Sequence, residues 1–212
     1  MKSSSLVLIN VIVILLLIAG GGAAIYYYNQ SVNYISTDNA KIDGQSASVA
    51  ASSPGVLSSW TGKVGQSYPS GQIVGTVLSD KGTVNVTTPT AGTIVQQNAV
   101  VNSIVGAGSP LARVFDLDHL WVTANIKETK INDVALNQAV DIYVDAFPGT
   151  TLSGKVSQIG LATAGTFSLL PTTNTTGNYT KVTQVIPITV TIDGYKGLAL
   201  VPGMSVSIRI HR

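Results

Sequence analysis

Apolar positions fall into two regimes along this chain. From Leu6 to Tyr28 they form one run of 23 residues without a charge, where about 20 suffice to cross the hydrocarbon core of a bilayer as a helix. Beyond it they alternate with polar positions, as in Asp141–Asp145, Ile186–Ile192 and Met204–Ile210, the period of strands that bury one face. In the last stretch Ser205, Ser207, Arg209 and His211 share the side opposite the apolar set. The pattern predicts a mainly β protein behind a single N-terminal transmembrane helix, its C-terminal part a half-buried antiparallel sheet or small β-barrel. Pro187 predicts an edge or a bulge in its strand, since proline donates no ladder hydrogen bond.

In the predicted anchor, Leu6, Ile12, Leu16 and Ile18 belong to the lipid-crossing part, and Tyr26, Tyr27 and Tyr28 suit the interface at its outer end. Lys2 is the only charge before the run, which leaves the N-terminus in the cytoplasm and the bulk of the chain outside. Gly22-Ala23-Ala24 offers an alternative, a cleaved signal peptide, but the run exceeds the usual apolar region of about 7–15 residues. No cysteine follows, so a lipid anchor on cysteine is excluded.

Comparing the chain with itself reveals a gapless repeat at an offset of 37 residues. Gly55 falls on Gly92, Leu57 on Ile94, Val64 on Val101, Gly71 on Gly108, Val74 on Leu111, Val77 on Val114 and Leu78 on Phe115. Each copy reads as a small-residue or proline approach, a short strand, a turn and then a second strand, and two such halves make a flattened β-sandwich. A change of pattern after Phe115 places a boundary near Asp116. The expected division is therefore 1–30 for the cytoplasmic tip and anchor, 31–115 for the sandwich with its leading strand, and 116–212 for the barrel.

Composition narrows the chemistry. Charged residues make up 10% of the chain, against roughly 25% in ordinary soluble proteins, and the formal charge is +2 with no basic run. Nothing here could neutralise a phosphate backbone, so nucleic acid is not an expected partner. The absence of cysteine removes disulfides, thiolate zinc sites and cysteine nucleophiles. His119 and His211 stand far apart without neighbouring cysteine or paired carboxylates, so no metal site is expected. Asp116, Asp118 and Glu128 lack a nucleophile motif and read as turn and solvated residues, so no catalytic residue is assigned. Trp121, in an apolar strand, is expected in the core. Asn85, Asn174 and Asn178 open glycosylation acceptor patterns that matter only in a eukaryotic secretory route.

The paired halves resemble a biotinyl/lipoyl-type domain joined through Ser79-Asp80-Lys81-Gly82. In carriers of that fold a lysine at the joining hairpin bears the cofactor, so Lys81 is read either as a modified carrier lysine or as a solvated residue of a tight turn. Export of the module away from a cytoplasmic ligase favours the second, and no cofactor is expected. Further stretches resemble the membrane fusion protein family, the periplasmic adaptors of HlyD and EmrA type. They are Leu117-Asp118-His119-Leu120-Trp121-Val122-Thr123-Ala124-Asn125-Ile126-Lys127-Glu128-Thr129, Val144-Asp145-Ala146-Phe147-Pro148-Gly149, Ala164-Gly165-Thr166-Phe167-Ser168-Leu169-Leu170-Pro171 running on through Lys181-Val182, and Leu200-Val201-Pro202-Gly203-Met204-Ser205-Val206. The likeness extends back through Tyr34-Ile35-Ser36-Thr37-Asp38-Asn39-Ala40.

One departure stands out: members usually insert a long α-helical hairpin between the lipoyl halves, whereas here only Ser79 to Thr83 join them. The resemblance then implies a short, non-catalytic adaptor of a multidrug efflux or secretion system, held in the inner or sole cell membrane beside a transporter of major-facilitator or ABC type. It also implies a homo-oligomer. Candidate partner contacts are Lys81 and, in the polar loop Thr163 to Tyr179, Phe167, Leu169 and Leu170; those three apolar residues could equally plug the open end of the barrel.

Overall fold

The computed structural model describes residues 12–22, 25, 33–167 and 183–212. Residues 12–22 are helical, yet among the described residues no helix is long and apolar enough to cross a membrane. Ile12, Leu16 and Ile18 lie in that helix and are exposed; Leu6, Tyr26, Tyr27 and Tyr28 lie outside the described residues, as do Leu169 and Leu170.

The rest is β. In chain order the strands are β1 (Tyr34–Ala50), β2 (Gly55–Trp60), β3 (Ser67–Tyr68), β4 (Ile73–Ser79), β5 (Gly82–Thr87), β6 (Gly92–Gln97), β7 (Ile104–Val105), β8 (Pro110–Lys127), β9 (Ala139–Val144), β10 (Thr151–Ile159), β11 (Val185–Ile192) and β12 (Ser205–His211). Short 3₁₀ segments at Glu128–Asp133 and Ala164–Phe167 sit in two of the connections.

Strands β1, β12, β9, β10, β11 and β8 follow one another by hydrogen bonding, and β8 pairs back onto β1, so six strands close a barrel. Closure leaves none of the six strands with a free edge, and the alternation in the sequence sends the apolar positions inward. The filling is aliphatic, with Ile35, Ile42, Val122, Ile126, Ile142, Leu152, Ile188, Ile208 and Ile210 nearly inaccessible. Pro187 fits this closed wall because it sits beside Asn125 of β8 and beyond the last β10 pair, Ile159 with Ile188. The irregularity in that pairing falls between Val156 and Gln158 on β10 instead. Trp121 departs from expectation. The inward set of β8 is Leu120, Val122, Ala124 and Ile126, so alternation turns Trp121 to the outer wall, where it is half-buried.

The second module is a sandwich whose halves follow the repeat. Shifting β2, β3 and β4 by 37 residues gives β6, β7 and the start of β8. One sheet holds β1, β8, β6 and β3, the other β5, β4, β2 and β7. Each half lends its short strand to the other: β2 pairs with β7, and β6 with β3. The hydrogen bonds repeat as well. Gly65 N–H donates to Ile94 O at 2.8 Å and Asn102 N–H to Leu57 O at 2.8 Å; Gly71 N–H donates to Thr88 O and Gly108 N–H to Ala51 O, both at 2.8 Å. The left-handed φ of Gly65 recurs at Asn102, a residue type that tolerates it. Leu57, Val74, Val77, Ile94 and Val114 fill the space between the sheets.

The two modules share strands. β1 pairs with β12 and β8 in the barrel up to Gly44, then with β8 in the sandwich from Ser46 to Ala50. β8 likewise runs through residue 116, where the alternation of the sequence changes, without ending. The chain thus crosses between modules on two adjacent strands.

Candidate functional site

Two places in this fold are equivalent by the repeat and used differently. In the first half β4 turns into β5 through Asp80-Lys81, with Ser79 paired to Gly82. Ser79 Oγ donates to Gly82 O at 2.9 Å and accepts from Lys81 N–H at 3.4 Å. Gly82, at φ 109°, supplies a conformation that side chains resist. Lys81 is exposed at the tip. The tip lies at the sandwich end remote from the barrel: β1 leaves the barrel, ends at Ala50, and its short connection starts β2 at Gly55, whose neighbour Val56 pairs with Leu78 beside the turn.

In the second half the same four positions, Asp116 to His119, form a bulge in β8. Gly44 pairs with Leu120 and Ser46 with Phe115, so four residues of β8 oppose the single Gln45. Asp116 Oδ1 accepts from Asp118 N–H at 3.0 Å, as Ser79 does from Lys81, and His119 Nδ1 donates to Asp116 Oδ2 at 2.8 Å. That bond from His119, more than the backbone bond from Asp118, holds the Asp116 carboxyl below its ordinary 3.8. Tyr195, from the β11–β12 connection, clamps the bulge: its hydroxyl accepts from Leu120 N–H and donates to Asp118 O, both at 2.7 Å. A Cβ at Gly44 would meet Leu120 Cδ2 at 2.7 Å, so a larger residue there would have to displace that methyl group.

Beside this junction a cleft of about 870 Å³ opens between the modules, lined by Lys41, Asp43, Arg113, Phe115, Leu117 and Val201 among others. Lys41 Nζ lies 3.7 Å from Asp43 Oδ2. On the outer barrel wall Arg209 sits over the rings of Tyr34 and Tyr143, at 5.3 and 5.8 Å from their centroids. His211 Nε2 is 2.9 Å from Asp141 Oδ2 alongside. Among the described residues no three His, Asp or Glu side chains converge as metal ligands do.

The remaining predicted contacts are spread apart. Phe167 ends the 3₁₀ segment Ala164–Phe167 in the β10–β11 connection, at the end of the barrel where β1 begins. Lys81 lies at the opposite extreme, so the structure does not bring these candidates together. Sequence reasoning missed Tyr195, which no local pattern marks. It also treated Asp116 and Asp118 as separate turn residues, although the offset of 37 carries Ser79–Gly82 onto Asp116–His119.

Comparison with known proteins follows the same division. Residues 45–116 match the YhbJ barrel-sandwich hybrid domain, and residues 120–210 the YknX-like β-barrel domain. A Bacillus subtilis protein named as an efflux system component, YhbJ, is 42% identical over 210 residues, 99% of this chain and 94% of that one. The colistin resistance protein EmrA of Acinetobacter baumannii is 37% identical over 129 residues; the match takes in 60% of this chain but 36% of EmrA. Among solved structures, the membrane fusion protein Spr0693 of Streptococcus pneumoniae R6 aligns with a TM-score of 0.60, covering 84% of this chain and 97% of that one. At 16% identity that last likeness is one of fold.

Proposed function

The chain belongs to the membrane fusion protein family, in a short form without the α-helical hairpin, and from that premise we propose that it is a membrane-anchored, non-catalytic adaptor subunit of an efflux or secretion transporter. The observation that carries this is the likeness to an efflux system component along 99% of the chain. The apolar run Leu6 to Tyr28 serves as a single uncleaved span with the N-terminus in the cytoplasm, and both β modules stand outside. Tethering raises the modules' effective concentration next to an integral transporter and so substitutes for a large intrinsic affinity.

The transporter, of major-facilitator or ABC type, contacts the barrel through residues 163–179 of the β10–β11 connection, with Phe167, Leu169 and Leu170 as anchors. In this short form the joining turn at Lys81 faces away from the membrane, and homo-oligomers form through the modules. Cross-linking in native membranes followed by mass spectrometry tests the assignment: a polytopic transporter should be recovered with the chain, and recovery of none would sink it. Deleting Met1 to Tyr28 should leave a folded β protein that no longer supports export; full export from that truncation contradicts the tethering argument. A carrier modified on Lys81 would share the sandwich, and intact mass separates the two readings, because a biotin or lipoate adduct would replace the adaptor assignment.

A further inference from the structure

The rim of the barrel at which β1 begins and β12 ends carries two exposed leucines. Leu136, 58% exposed, stands in the β8–β9 connection, and Leu161, fully exposed, follows β10. Both connections lie at this rim, because β9 starts here beside the end of β12, and β10 ends here beside the start of β11. The turns that carry them are hydrogen-bonded to the barrel. Asn137, at φ 66°, turns the chain and donates its N–H to Val156 O at 2.8 Å. The Gln138 side chain braces the same loop, Oε1 accepting from Ala135 N–H at 2.9 Å and Nε2 donating to Asp133 O at 3.2 Å. Gly160 is pinned through its N–H to Pro187 O at 2.8 Å, and a Cβ there would lie 2.7 Å from that oxygen. Two well-braced turns therefore hold leucines in solvent, where an isolated domain gains nothing from them. Lys127 and Lys130 are exposed on the same rim, beside the exposed Glu128 and Asp133.

The path of the chain says what covers this rim. Asn33 O accepts from Arg212 N–H at 3.0 Å, so the incoming chain is fixed to the last strand. Between helical Ile25 and Asn33 lie only eight Cα steps, which span at most about 28 Å even when fully extended. An apolar helix joined so closely to the rim holds it within about 28 Å of the helix end, near enough for the leucines to enter the acyl boundary of the bilayer. We propose that this rim is a lipid-contacting surface: Leu136 and Leu161 insert into the bilayer interface and fix the barrel upright on the membrane, independently of any transporter. The inference rests on the anchoring described under the proposed function.

The chain has no cysteine, so single labels are readily placed. Full-length Leu136→Cys and Leu161→Cys proteins carrying a polarity-sensitive fluorophore are reconstituted into vesicles of equal parts phosphatidylethanolamine and phosphatidylglycerol, some with a nitroxide high on the lipid acyl chain. Leu78→Cys, beside the distal turn, is the control. The rim labels should shift to the blue and lose most of their emission to the nitroxide lipid, while the control does neither. Rim labels as wet as the control, in protein that floats with the vesicles, would overturn the proposal. Shielding that arises only when the transporter is co-reconstituted would overturn it in favour of a protein contact. Failure of the chain to float with the vesicles would remove the anchor itself and this inference with it.

Discussion

Replacing Tyr195 by Phe tests whether the junction between the modules is as firmly held as its geometry implies. The substitution keeps the ring, which packs against the barrel core, and removes only the hydroxyl that bridges Leu120 N–H and Asp118 O. Each bond contributes about 0.5–1.5 kcal/mol net, and a donor left unsatisfied beside buried Leu120 adds to the loss, so destabilisation of about 1–3 kcal/mol is expected. Urea unfolding of the detergent-solubilised chain gives that number. Hydrogen exchange locates it, because the Leu120 amide should lose protection while those of β2 and β4 keep theirs. The bulge, freed of its clamp, should also allow a wider range of angles between sandwich and barrel, visible as spread in distances between spin labels on the two modules. A Leu120 amide that stays equally protected, together with a stability change below about 0.5 kcal/mol, would refute the clamp.

Other expectations can be checked separately. Gly154→Ala drives a Cβ into the Thr191 carbonyl oxygen, a backbone atom that cannot swing aside, so it should destabilise the barrel by about 1–3 kcal/mol or more, read as a lowered urea midpoint. Leu57→Ala and Ile94→Ala, at equivalent fully buried positions, should each cost about 2–5 kcal/mol, with similar values; a large disparity would argue against energetic symmetry of the halves. His119→Ala should let the Asp116 carboxyl titrate closer to 3.8, followed by NMR. Since the folded carboxyl is held low, its small stabilising contribution is present above the unfolded value near 3.8 and fades as pH falls through the lower folded value. An unmoved Asp116 midpoint would show that the His119 bond does not form in solution.

Much of this architecture was legible because it rests on periodicity. Alternation in Met204–Ile210 exposes the wall of a barrel, and the match of Gly55 with Gly92 exposes the two-fold build of the sandwich, since equal halves need equal turns. What periodicity cannot reveal is which strands meet. That β1 serves both modules follows from its pairing with β12 and β8, contacts between residues far apart in sequence. Trp121 shows the same limit: its size suggested the interior, but the phase of alternation set by Leu120 and Val122 put it on the wall. Tyr195 acts across the fold on the Asp116–His119 bulge, and nothing in its neighbours announces that.

The run of β1 has a mechanical consequence. Its 17 residues reach roughly 55 Å at about 3.3 Å rise each, from the end of the barrel where β1 begins to the far end of the sandwich, with register shifts at Thr37/Ala40, Gly44/Ser46 and Val49/Ala50. A pull on the N-terminal segment therefore loads the whole β1–β8 ladder lengthwise, its bonds sharing the force together instead of parting one by one. Strain arising at one extremity is delivered to the other by the backbone itself, with no flexible joint to absorb it.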